Sequence, residues 1–109
     1  MQRIVVLGGG ESGAGSAVLA KVKGFDVFLS DNGPIKEEFK ALLDKWEIEW
    51  EECGHTAEKI LNASEIIKSP GIPDNVPLLV AAREKGISII SEIEFAGDRK
   101  STRLNSSHA

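Results

Sequence analysis

The sequence predicts an α/β fold in three layers, a doubly wound parallel sheet of about five strands with helices on both faces. Three observations predict it. Short apolar runs rich in β-branched residues recur along the chain, each separated from the next by a segment of helical spacing. The first run passes directly into a glycine cluster and then into a helix of small residues. The first run, Ile4–Leu7, is continuous rather than alternating and bounded by glycine, which suits a strand covered on both faces.

Taken in order, Ile4 to Leu7 is the first strand and Gly8-Gly9-Gly10-Glu11-Ser12-Gly13 the loop after it. Ala14 to Lys23 is expected as the first helix, ended by Gly24. Phe25 to Ser30 is the second strand, closed by Asp31. Asn32-Gly33-Pro34 is a turn with Pro34 suited to the first helical position, and Ile35, Phe39, Leu42, Leu43 and Trp46 fall on one face of the helix beyond it. Ile48 and Trp50 alternate with glutamates, so the third strand has a polar face and belongs towards an edge. Thr56 can cap a short helix through Leu61, and Ile66-Ile67 is the fourth strand. After Ser69-Pro70-Gly71-Ile72-Pro73, either Asp74 or Asn75 is expected to cap a helix with Pro77 near its start and Gly86 past its end. Ile87 to Ile90 is the fifth strand, and Glu92 to Ala96 opens another segment.

Composition narrows the function classes. A chain of 109 residues with 41% apolar and 28% charged residues fits one ordinary globular domain. Its net charge of -4 argues against nucleic acid as a partner. The single cysteine, Cys53, excludes an intramolecular disulfide framework and a Cys-based zinc site, and it reads as a buried or half-buried thiol. No apolar run approaches the roughly 18 residues that span a bilayer, and the first is too short for a signal-peptide core. No membrane partner and a cytoplasmic location are therefore expected.

From Asp98 the character changes. Asp98 to His108 has one large hydrophobe, no apolar periodicity, and matches one translated reading frame of a common sequencing-adapter oligonucleotide. Residues 98–109 are accordingly expected to be a non-native tail behind a domain spanning residues 1–97.

The chemistry-bearing residues cluster after strands. Gly8-x-Gly10-x-x-Gly13 lies between the first strand and first helix. There one glycine permits a tight turn, the second a close backbone approach to phosphate, and the third tight helix packing. Amides at the helix start then face an anion. This is the Rossmann-like arrangement. Asp31, 18 residues beyond Gly13, stands where such folds place an acid for ribose hydroxyls, and it could equally accept from the N–H of a base. Ser69-Pro70-Gly71-Ile72-Pro73 follows the fourth strand at the same sheet edge and forms a stiff loop carrying one hydroxyl. Cys53 and His55 share a loop but lack a third orienting group, so they make a poor nucleophile pair. Trp46 and Trp50 read as core or edge packing, and Glu47, Glu49, Glu51 and Glu52 as a solvated strand face.

Together, Ile4-Val5-Val6-Leu7-Gly8-x-Gly10-x-Ser12-Gly13, Val27-x-Leu29-Ser30-Asp31, Lys68-Ser69-Pro70-Gly71-Ile72-Pro73 and Ile90-Ser91-Glu92-Ile93-Glu94-Phe95 resemble the N-terminal domain of the D-glutamate-adding Mur ligases, over residues 3 to 97. The resemblance implies a uridine-nucleotide-binding domain of a peptidoglycan-synthesis ligase, followed in the family by an ATPase domain and a C-terminal domain. The implied substrate is UDP-N-acetylmuramoyl-L-alanine. ATP and Mg2+ serve the full-length family members, which are expected to be monomers. By motif position, Gly10, Glu11, Ser12 and Gly13 would lie along the diphosphate and ribose, with the Glu11 side chain turned away from the phosphates. Asp31 and Asn32 would face the uracil, and Ser69, Pro70 and Gly71 would close on the nucleotide. The family's phosphate-binding Gly-Lys-Ser/Thr loop and magnesium ligands are expected shortly after Phe95, where this chain carries the adapter-like residues. No catalytic residue, metal ligand or cofactor is therefore expected in this chain, which alone should be inactive. An NAD(P)-binding domain of an oxidoreductase or redox-sensing regulator on the same fold is the alternative, and a fold remnant that binds nothing is a third.

Overall fold

The computed structural model describes residues 2–69, 71–73, 75–92, 94 and 95. Pro70 and Asp74, the segment end expected at Ala96, and the whole expected tail from Asp98 lie outside the described residues. The strands are Arg3–Leu7 (β1), Asp26–Ser30 (β2), Glu49–Glu51 (β3), Glu65–Lys68 (β4) and Ser88–Ser91 (β5). The helices between them are Glu11–Val22 (α1), Glu37–Lys45 (α2), Ala57–Ile60 (α3) and Pro77–Glu84 (α4). All strand pairs are parallel, and the sheet order is β3-β2-β1-β4-β5. This is the three-layer, doubly wound α/β fold that the alternation of segments predicts.

The continuous apolar runs have a direct cause. Ile4 and Val6 of β1 enter one core with Leu29, Ala17, Ala20 and Leu43, while Val5 and Leu7 enter a second with Phe28, Ile66, Leu79 and Ala82. Successive side chains point to opposite faces, and both faces are covered, so neither parity can be polar. Each fully buried aliphatic side chain of β1 contributes roughly 1.5–3 kcal/mol. The small residues of α1 are explained too: Ala14, Ala17 and Ala20 are completely buried, which lets the helix lie close to the sheet. β3 is an edge strand, as its glutamates predict.

The element boundaries differ where tertiary contacts decide them. α1 begins at Glu11 rather than Ala14, because Gly10 already acts as N-cap and its carbonyl accepts the Ala14 amide at 2.9 Å. Pro34 is not the first residue of α2, which starts at Glu37 behind the N-cap Lys36. The intervening Ile35 is instead buried, and its amide donates to Glu52 Oε1 at 2.9 Å. Trp46 is the C-cap of α2 and is 37% exposed, so it leaves the apolar face it shares by spacing. Thr56 is the N-cap of α3 by position, but its hydroxyl donates to Glu51 and makes no cap bond. Val76, not Asn75, precedes α4, with Pro77 at its first turn. Cys53 is exposed, because it occupies a left-handed turn position at φ 60° after β3.

β1 leads outwards in both directions, to β2 and β3 on one side and to β4 and β5 on the other. The loops after β1 and β4 therefore diverge, and a crevice opens at the carboxyl ends of the strands.

Candidate functional site

A cleft of about 610 Å³ lies in that crevice. Gly8, Gly9 and Gly10 form its floor after β1, Asp31, Asn32 and His55 one wall, and Ser69, Gly71, Ile72 and Pro73 the other. Gly10, Asp31, Asn32, Ser69 and Gly71 are thus brought together as expected from their positions after strands. Glu11 is exposed and lines a second hollow beside the glycine loop, with Gly9, Gly10, Asp31 and Lys36. Ser12 is exposed and Gly13 buried in the first turn of α1, and neither lines the main cleft. Leu7, Ile72, Val76 and Leu78 add apolar lining that motif reading did not find.

The glycine loop is held by backbone and by one carboxylate. The Gly8 amide donates to the Ser30 carbonyl at 2.8 Å, and the Gly9 amide to Asp31 Oδ2 at 2.7 Å. Asp31 Oδ1 takes the Gly33 amide at 2.8 Å. Both oxygens of Asp31 are therefore engaged in fixing the loop, a use its spacing did not disclose. Gly8 has φ +111°, and a Cβ on it would lie 2.9 Å from the Ser69 Cβ, so the two loops touch there. The amides of Glu11, Ser12 and Gly13 precede the first intrahelical bond of α1, and Gly10 offers no side-chain cap. They present donors and the positive end of the helix dipole next to the cleft.

Two carboxyls near the cleft are perturbed in opposite directions. Glu92 is 4% exposed, and its Oε2 has no hydrogen-bond partner among the described residues. Burial pushes its carboxyl above the usual carboxylate range, against a hydrogen bond with Ser69 that lowers it. Glu51 corrects the expectation of a solvated acidic face. Burial alone would raise its carboxyl. Its bonds with the Thr56 hydroxyl and amide and the Ser30 hydroxyl, together with attraction to His55, outweigh burial and hold it below the usual range. Those contacts are short: 2.6 Å from Thr56 Oγ1, 2.7 Å from the Thr56 amide and 2.8 Å from Ser30 Oγ. Glu52, likewise, takes the Ile35 amide and pairs with Lys40 at 2.9 Å.

A depressed folded-state value means that the ionised Glu51 stabilises the fold above its ordinary value of 4.5. That contribution is lost as the pH falls from there through the folded value. Glu51→Gln is therefore expected to cost about 1 kcal/mol at pH 7, with the deficit shrinking as the pH drops below that point. Urea denaturation of both chains between pH 3 and 7 measures it, and a deficit that does not change with pH would contradict the assignment.

In the sequence His55 reads only as half of a poor nucleophile pair with Cys53, and its place in the cleft wall is not foreseen there. His55 is an exposed residue that lines the cleft, and its Nδ1 lies 2.6 Å from Ser30 Oγ. The missing orienting group exists after all: Ser30 is fully buried and also bonded to Glu51 Oε2. The three residues meet because Ser30 and Glu51 are register partners across β2 and β3. Ser30 Oγ has no exposure from which to attack anything, so the cluster orients the imidazole and does not make a nucleophile. No group of three or more His, Cys, Asp or Glu side chains that could hold a metal occurs among the described residues. No helix among them is long and apolar enough to cross a membrane.

Comparison with known proteins shows the family of the chain. The UDP-N-acetylmuramoylalanine--D-glutamate ligase of Bacteroides fragilis is 65% identical over 97 residues, covering 89% of this chain and 22% of that protein. The Bacteroides thetaiotaomicron enzyme of the same name is 62% identical over an equal length and share. This chain thus spans about a fifth of the length of these relatives. Among solved structures, the UDP-N-acetylmuramate-alanine ligase MurC of Thermotoga maritima superposes with a TM-score of 0.79 at 25% identity, over 94% of this chain and 23% of that one. An NAD+-bound imine reductase from Myxococcus stipitatus superposes at 0.54 with 13% identity, a likeness of fold alone. The MurD N-terminal domain family matches residues 3–76, and the chain belongs to that family.

Proposed function

We propose that this chain binds the uridine-diphosphate part of UDP-N-acetylmuramoyl-L-alanine, as the N-terminal domain of a cytoplasmic ligase that adds D-glutamate to that precursor in peptidoglycan synthesis. The observation that carries the proposal is the convergence at one cleft of the glycine loop, Asp31 with Asn32, and the Ser69 loop. The amides at the start of α1 suit a diphosphate. The cleft's apolar lining from Leu7, Ile72 and Val76 suits a flat base or a sugar face. Ser69 lies in the same wall, its side chain hydrogen-bonded to Glu92. ATP- and magnesium-dependent activation of the substrate carboxylate falls, in this proposal, to the rest of the length that the relatives possess. The 109-residue chain alone is expected to release no phosphate from ATP in the presence of D-glutamate.

Calorimetric titration of the full chain with UDP-N-acetylmuramoyl-L-alanine, UDP and NAD in parallel tests the reading. Binding of both uridine ligands, with no heat from NAD, is the expected result. NAD binding without UDP binding would move the chain to the oxidoreductase class.

A further inference from the structure

We propose that Glu92 is a positioning residue of the cleft, a buried carboxyl group that, uncharged, fixes the Ser69 loop against the glycine loop. Its effect on ligand affinity rests on the nucleotide-binding reading, while its hold on the loop does not.

The register of the sheet brings the partners together. Lys68 on β4 and Ser91 on β5 are paired, so Ser69 and Glu92, one residue further on, leave the carboxyl end of the sheet side by side. The backbone around each is anchored. The Ser69 amide donates to the Leu7 carbonyl at 3.1 Å, and the Ile72 amide to the Ser69 carbonyl at 3.0 Å. Beyond Glu92, the Glu94 amide donates to Ser91 Oγ at 3.0 Å, and Phe95 is completely buried in the core that α1 covers. Between these fixed points the Glu92 side chain turns inwards, 4% exposed, and forms a hydrogen bond with the Ser69 side chain. Its Oε2 reaches the glycine loop: a Cβ on Gly13 would lie 3.7 Å from it and would also meet the Gly8 carbonyl oxygen. One carboxyl group therefore stands at the junction of three segments, the glycine loop, the Ser69 loop and the chain after β5.

The surroundings decide its charge. Oε2 has no donor among the described residues, and the Gly8 carbonyl, close to the same point beside Gly13, is another acceptor. A carboxylate there would bury an unpaired negative charge next to a lone pair, a cost that protonation removes. A neutral carboxyl keeps the link to Ser69 and carries a proton in place of the charge. Of the charged side chains on the adjoining segments, Glu11 of α1 is exposed in the outer hollow, and Lys68 Nζ donates to the Ile72 carbonyl at 2.9 Å. Glu94 and Arg83 line a separate hollow against β5. Burial is the dominant influence on the Glu92 carboxyl and raises it above the usual range. The uncharged form therefore holds the loop fully below pH 4.5, and the hold weakens as the pH rises through the folded value.

The test uses the full chain, with Glu92→Gln as the uncharged isostere and Glu92→Ala and Ser69→Ala as broken links. In urea denaturation from pH 4 to 8, the parent is expected to lose stability relative to Glu92→Gln as the pH rises above 4.5. Hydrogen exchange of the Ile72 amide, which the Ser69 carbonyl holds, reads the loop itself. Glu92→Gln should match the parental protection at low pH and exceed it at high pH. Glu92→Ala and Ser69→Ala should each lose about fivefold in protection at pH 5, the worth of one hydrogen bond. UDP affinity should follow the same order. Parallel stability curves for the parent and Glu92→Gln overturn the proposal, and so does unchanged Ile72 exchange in Ser69→Ala. If Glu92→Ala fails to fold, Ser69→Ala decides alone, because it breaks the same link at a half-buried residue. Equal UDP binding by all four chains would also overturn the positioning role. If the folded parent binds no UDP while exchange follows the expected order, the nucleotide-binding reading falls and the hold of Glu92 on the loop stands.

Discussion

Replacing Gly13 with alanine is expected to destabilise the chain by about 3 kcal/mol or more and to abolish the nucleotide binding proposed for it. The position is buried in the first turn of α1, and a Cβ there would run into the carbonyl oxygen of Gly8. The obstacle is backbone and cannot rotate aside. Nor can the loop that bears it retreat, because the Gly8 amide is tied to the Ser30 carbonyl and the Gly9 amide to Asp31. Relief would require α1 to lift from the sheet, opening the core that Ala14, Ala17 and Ala20 close. Gly15 supplies the control. It lies in the same helix with open space where its Cβ would be, so Gly15→Ala should stabilise by about 0.5–1 kcal/mol. Urea denaturation of the two variants beside the parent reads both effects. A Gly13→Ala chain as stable as the parent would mean that the helix does not approach the loop as closely as described.

That close approach was legible in the sequence, because a third glycine at this spacing after a strand has few other uses. The strand runs of β1 and β4 were legible for a similar reason: a strand buried on both faces has to be apolar at both parities. The edge placement of β3 followed from its glutamates, and yet their individual fates did not. Glu51 and Glu52 are bound inwards because the turn after β3 returns beneath the end of β2, bringing Ser30, His55 and Thr56 to Glu51 and the Ile35 amide to Glu52. Ser30 and His55 are 25 residues apart and carry no shared periodicity, so only the register of β2 against β3 makes them neighbours. Helix starts failed for a related reason. Pro34 and Asn75 have the right local chemistry, but the burial of Ile35 moves the start of α2, and Pro77 at the first turn fixes that of α4. Local propensity proposes a boundary, and packing chooses among candidates a few residues apart.

Asp31 shows the same limit at the site itself, and its replacement is expected to have the second largest effect. Spacing alone makes it a ligand acid, so Asp31→Ala would then weaken binding and leave the fold as stable as before. The structure gives it two partners inside the protein, the amides of Gly9 and Gly33. Hydrogen bonds to an ionised group are worth about 1.5–3 kcal/mol each, and here they are only partly buried, so Asp31→Ala is expected to cost about 3 kcal/mol in stability. UDP affinity should fall more than tenfold in the same variant, because the glycine loop that positions the α1 amides loses its side-chain anchor. Asp31→Asn separates the roles. Its carboxamide oxygen can keep one of the two amides while its NH2 group opposes the other, so about half of the stability loss should return. The engagement of both oxygens also explains how an acid can sit beside a cleft proposed to hold a diphosphate: its charge is spent on two amides of the loop. If Asp31→Ala lowers UDP affinity with no change in the urea midpoint, Asp31 is a ligand contact and the loop is held by something else. A joint fall in stability and affinity, half restored by asparagine, would identify it as the anchor that shapes the site.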